Sequence, residues 1–144
     1  MPVNSFEMVY IIRREHFSAA HRLFLPEYSD EENFETFGKC SNPNWHGHNY
    51  ILYVTVKGEP DPQTGLVIHL RHVSRLISEK ILNKVDHKNL NIEVDFLKGK
   101  VPTSENIAIG IWNELSEDIS KLGGVLHCIR IEQSENNIVE YYGM

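Results

Sequence analysis

Tyr50, Leu52, Val54 and Val56 hold every second position of the segment Tyr50–Lys57. Alternation of this kind, in a run rich in β-branched and aromatic residues, requires a strand with one face in a core. A lone strand cannot bury that face, so the rest of the chain has to supply partners and a covering layer. Met8–Leu23 reads as a second long strand, and Val125, His127, Ile129 and Ile131 alternate as a third. Ile138–Tyr142 returns after the turn Ser134-Glu135-Asn136-Asn137. The Gly58–Gly65 turn signal followed by Leu66-Val67-Ile68 predicts a hairpin.

Helical spacing takes over between these strands. Val73, Leu76, Ile77 and Ile81 mark one amphipathic helix. A second begins near Pro102-Thr103-Ser104-Glu105, buries Ile107, Ile111, Leu115 and Ile119, and stops at Gly123-Gly124. The order is two strands, two helices, two strands. It predicts an α+β sandwich in which a four-stranded antiparallel sheet carries both helices on one face, leaving the other to a partner subunit or a closed barrel. Leu25–Trp45 is a long excursion, partly helical, with Ser29-Asp30-Glu31-Glu32 as a capping box.

A chain of 144 residues, 41% hydrophobic and 24% charged, has room for one core, so residues 1–144 are expected to form a single domain with one site. A net charge of −6, without a Lys/Arg stripe, argues against nucleic acid and limits any polyanionic partner to a small molecule. No apolar run approaches the ~20 residues of a membrane span, and Met1–Phe6 lacks a targeting pattern, so no membrane partner and a cytoplasmic address are expected. In that reducing setting Cys40 and Cys128 are expected to be free thiols.

His46-Gly47-His48 places two imidazoles on one face of a strand, about 7 Å apart. His21, at the end of the first long strand, adds a third nitrogen if the two strands pair. Any one of these histidines alone is better explained as a polar surface residue, and the pair alone divides evenly between that and a metal site. Three imidazoles with an open position describe a catalytic zinc site, whereas a structural site is closed by a fourth ligand, for which Cys40 is the nearby candidate. Cys40 lies in a polar, turn-rich stretch next to Lys39, a setting that favours an accessible thiolate acting as base or nucleophile. Cys128, among Leu126, Ile129 and Ile131, reads as a packed side chain. In Asp86-His87 a carboxylate beside an imidazole suits proton transfer, although capping by Asp86 is the commoner use.

Phe17-Ser18-Ala19-Ala20-His21-Arg22, Phe37-Gly38-Lys39-Cys40, Asn42-Pro43-Asn44-Trp45-His46-Gly47-His48-Asn49-Tyr50, Asp86-His87-Lys88-Asn89-Leu90 and Thr103-Ser104-Glu105-Asn106 occur in this order. Together they resemble the 6-pyruvoyl-tetrahydropterin synthase family along the whole chain. The resemblance implies the tunnelling fold, with trimers closing a β-barrel and two trimers stacked as a homohexamer. It implies conversion of 7,8-dihydroneopterin triphosphate to 6-pyruvoyl-tetrahydropterin with elimination of triphosphate, as in tetrahydrobiopterin synthesis. Zn2+ would sit on His21, His46 and His48, with Mg2+ accompanying the triphosphate. Cys40 would be the base, Asp86 and His87 a proton relay, and Thr103, Ser104, Glu105 and Gln133 the pterin pocket.

The step of six from Cys40 to His46 favours this family over the related 6-carboxy-tetrahydropterin synthases. The alternatives are such a relative, a side-chain-cleaving one, or a non-catalytic pterin- or metal-binding protein. Two positions depart from the family pattern. Gln133 stands where a glutamate anchors the pterin, a change expected to weaken binding by ~1.5–3 kcal/mol. Trp45 stands where glycine is usual.

Overall fold

The alternating segment forms β2 (His46–Gly58), flanked on one edge by antiparallel β1 (Val9–His21) and on the other by β4 (Val125–Glu132). This is a computed structural model that describes residues 7–144, so the targeting reading of Met1–Phe6 lies outside the described residues. Tyr50, Leu52, Val54 and Val56 are buried on the face that also receives Phe17, Ala19, Ile129 and Ile131.

The expected hairpin return at Leu66–Ile68 is not formed. Both edges of β2 are already occupied, so no free edge remains for a returning strand. Main-chain bonds from Gly65 N to Asp61 O (2.8 Å) and from Asp61 N to Leu66 O (2.9 Å) close a tight loop, and Ile68 enters the core just ahead of α2 (Leu70–Ile77).

The excursion after β1 holds α1 (Asp30–Phe37), and the helix marked by Val73–Ile81 is longer than its periodicity suggests. From α2 it passes through a π turn, Ser78–Leu82, into α3 (Asn83–Val85). Val73, Ile77, Ile81 and Val85, four residues apart, are all buried. In a regular α-helix such a series drifts by about 40° per step, and the wider π turn corrects part of the drift. In α4 (Ser104–Lys121), Thr103 caps the first turn by accepting from Asn106 N (3.1 Å), and Ile107, Ile111, Leu115 and Ile119 are fully buried as expected.

The simple alternation of β4 is broken by a bulge. Thr55 pairs with Cys128 but Val56 with Leu126, so His127 is the extra residue; Leu126 turns inward and Val125 is exposed. β5 (Ile138–Tyr141) follows, and a two-residue β3 (Lys88–Asn89) joins β1 in parallel, extending the expected four strands to the order β3-β1-β2-β4-β5. The helices cover one sheet face. On the opposite face Tyr10 and Ile12 remain exposed. Among the described residues no helix is long and apolar enough to cross a membrane.

Candidate metal centre

The last pair of the β1–β2 ladder is His21 with His46, which sets the two imidazoles side by side across the sheet. His48, two residues on, shares the face of His46. The ring centroids lie 4.6 Å (His21–His46), 5.1 Å (His21–His48) and 4.9 Å (His46–His48) apart, with one nitrogen from each ring within 4.8 Å of the others. The strand pairing that the third ligand required is therefore present.

His21 is fully buried, and its Nδ1–H donates to the Pro102 carbonyl at 2.9 Å, leaving Nε2 as the acceptor nitrogen, 3.5 Å from the Tyr50 hydroxyl. Both ring nitrogens of His46, and Nε2 of His48, are buried with no hydrogen-bond partner among the described residues. Stranding a buried polar group costs about 1–3 kcal/mol each, so this arrangement persists at the expense of stability unless something accepts the one lone pair that each neutral imidazole offers. A metal cation does so, and the three imidazoles fit one.

Desolvation lowers the His21 pKa to about 4, partly opposed by the Pro102 carbonyl and reinforced by repulsion from His46 and His48. Burial lowers His46 and His48 as well. The unfolded chain takes up these protons near pH 6.5, where the folded chain does not, so the metal-free protein is expected to lose stability as pH falls from 6.5 toward 4. For His21 alone the loss is on the order of 3 kcal/mol. Urea midpoints measured with chelator present should drop clearly between pH 7 and pH 5.

Cys40 lies on the 3-10 turn Gly38–Ser41, which the main chain stitches to the end of β1. Leu23 N donates to Cys40 O at 2.8 Å and Arg22 Nε to Ser41 O at 2.8 Å. Burial and the neighbouring Cys40 push the Tyr50 hydroxyl pKa upward, and that hydroxyl is 3.3 Å from His21 Nδ1. The thiol does not belong to the histidine cluster. Tyr50 was read only as core; its place two residues beyond His48, on the same strand face, was the available signal.

The Asp86-His87 pair is fastened to β1 at Ser18. Asp86 Oδ1 accepts from Ser18 N (2.9 Å), His87 N donates to Ser18 O (2.6 Å), and the two side chains meet at 3.1 Å. The Ser18 hydrogen bond, ahead of His87, holds the Asp86 carboxyl below its ordinary pKa. His87 adopts φ +60°, uncommon for a non-glycine residue, and shares an open cleft of about 540 Å³ with His48 and Asn49. Cys40 does not line that cleft.

The remaining expected residues gather at the start of α4. Pro102 contacts His21, Thr103 caps the helix, and buried Ser104 donates from Oγ to Gln133 Oε1 at 2.7 Å. One lone pair of the Gln133 amide is thus already in use. Glu105 is exposed in the first turn of the helix.

Residues 10–144 match the family model described as 6-pyruvoyl tetrahydropterin synthase. The chain belongs to the 6-pyruvoyl tetrahydropterin synthase family. It is 47% identical over 133 residues to 6-pyruvoyl tetrahydrobiopterin synthase of Pongo abelii, covering 92% of this chain and 90% of the relative. The Homo sapiens enzyme of that name is 46% identical over 133 residues, with the same coverage. The solved structure of Caenorhabditis elegans 6-pyruvoyl tetrahydropterin synthase superposes with a TM-score of 0.89 at 44% identity, covering 96% of this chain and 98% of that one. The α+β fold and the resemblance read from the motifs are thereby established for this 6-pyruvoyl tetrahydropterin synthase family member.

Proposed function

We propose that the chain converts 7,8-dihydroneopterin triphosphate to 6-pyruvoyl-tetrahydropterin with release of triphosphate, using zinc held by His21, His46 and His48. The observation that carries this reading is the convergence of three imidazoles, His46 and His48 with stranded nitrogens, in a chain whose Cys40 is a free thiol. Zinc, when bound, supplies Lewis acidity toward the substrate's side-chain hydroxyls and so makes the neighbouring C–H easier to deprotonate.

The protein's own groups divide the remaining work. Cys40, carried on a turn that β1 holds in place, takes the proton from carbon as general base. Asp86 orients His87, and the pair passes a proton in the cleft that His87 shares with His48. Thr103, Ser104, Glu105 and Gln133 bind the pterin, and the Pro102–His21 bond ties that segment to the metal ligands. Because Cys40 does not line the cleft that holds His87 and His48, we include in the proposal a site completed by neighbouring copies in a homohexamer. We place the enzyme in the cytoplasm as a single domain of residues 1–144, with Mg2+ accompanying the triphosphate.

The test is anaerobic incubation of the zinc-loaded protein with 7,8-dihydroneopterin triphosphate, followed by mass analysis of the pterin and assay of triphosphate. One equivalent of each product is expected. No turnover with zinc fully bound would overturn the proposal, and loss of two carbons as acetaldehyde would assign the chain to a side-chain-cleaving activity instead.

A further inference from the structure

Among the described residues Trp45 and His87 are the non-glycine residues with positive φ, and Trp45, at +67°, immediately precedes a metal-ligand candidate. A bulky side chain enters the left-handed region only when its surroundings over-determine it. Here they do. Trp45 N donates to Asn42 O at 3.0 Å, and the indole stands edge-on to the Phe24 ring with centroids 6.4 Å apart. Over that same ring lies the Arg22 guanidinium, 4.0 Å from its centroid, while Arg22 Nε is bound to Ser41 O.

These three side chains have a particular place in the chain. Arg22 directly follows His21, and Trp45 directly precedes His46. His21 and His46 are themselves the last pair of the β1–β2 ladder, beyond which no strand hydrogen bond holds the two segments together. Ladder ends open more readily than ladder centres, and a metal ligand at such an end is poorly placed unless something braces it. The Arg22–Phe24–Trp45 stack spans that end.

We infer that Trp45 is a positioning residue, kept left-handed by Phe24 and Arg22 so that His46 is aligned with His21 before metal arrives. The inference rests on the reading that the three histidines hold a metal. It separates backbone from ring. An alanine at position 45 keeps the strain and loses the brace, so the segment relaxes and metal binding must restore it; a glycine adopts the same φ without strain.

The test is Co2+ titration of the metal-free full chain, read by visible absorption and by chelator competition, with Tm recorded in parallel. Trp45→Ala is expected to bind about tenfold more weakly, with altered band intensities. Trp45→Gly and Trp45→Phe should stay within about threefold of wild type, the first by removing strain and the second by restoring the ring contact. Phe24→Ala should reproduce the Trp45→Ala defect. Wild-type affinity and spectrum in Trp45→Ala, or equal weakening in the alanine and glycine variants, would overturn the inference. Failure of the wild-type chain to bind Co2+ or Zn2+ would instead overturn the metal reading on which it rests.

Discussion

His46→Leu is expected to abolish metal binding and turnover while making the metal-free protein more stable than metal-free wild type. Both nitrogens of His46 are buried without a partner, so the folded chain carries their desolvation and receives nothing in return until a cation binds. Leucine has a similar bulk and no polar atom to strand. Removing two such groups should stabilise the metal-free fold by at least about 2 kcal/mol, a rise of several degrees in Tm for a chain of this size. Loss of a primary ligand should weaken metal binding by more than the roughly 100-fold that loss of a ligand's outer partner can cost. Thermal unfolding with and without chelator, together with zinc content, checks both halves. A metal-free variant less stable than wild type would show that the imidazole is a packing element and not a stranded ligand.

Cys40→Ala is also expected to lose turnover, but to leave the metal in place. The residue's structural contribution is its main-chain carbonyl, which accepts from Leu23 N and survives the substitution. The thiol is outside the group of ligand atoms that lie within 4.8 Å of one another. Zinc should therefore remain at one per chain with near wild-type affinity. Turnover should fall by about 10² to 10⁴, the usual contribution of a positioned general base. Metal analysis and single-turnover rates read the two outcomes separately. Zinc lost together with the thiol would make Cys40 a fourth ligand and the centre a closed one.

Much of this architecture could be read from the chain because its physical causes are local. The alternation at Tyr50, Leu52, Val54 and Val56 and the fourfold spacing at Ile107, Ile111, Leu115 and Ile119 each name the face that enters the core, and both faces are buried as read. The capping box at Ser29 and Glu32 forms for the same reason, since its partners are three residues apart. Where the outcome depended on something distant, local pattern misled. Leu66–Ile68 has the composition of a strand, but the edge it needed was occupied. Val125 and His127 alternate correctly with Ile129, yet the register set by Thr55 and Val56 places the bulge at His127.

The candidate site divides along the same line. His-x-His spacing, the Cys40 turn and the Asp86-His87 doublet are written in adjacent residues, and by themselves they determined which atoms are available for chemistry. That His21 meets His46 is a matter of register, decided by the whole length of a thirteen-residue ladder. That Pro102, eighty-one positions from His21, orients the third ligand follows from how α4 packs on the sheet. The stack of Arg22 over Phe24, with Phe24 edge to face with Trp45 at φ +67°, likewise forms only in the folded chain. Side-chain chemistry and short-range period belong to the sequence; the distances that bring three histidines together arise only when long-range packing selects a single register.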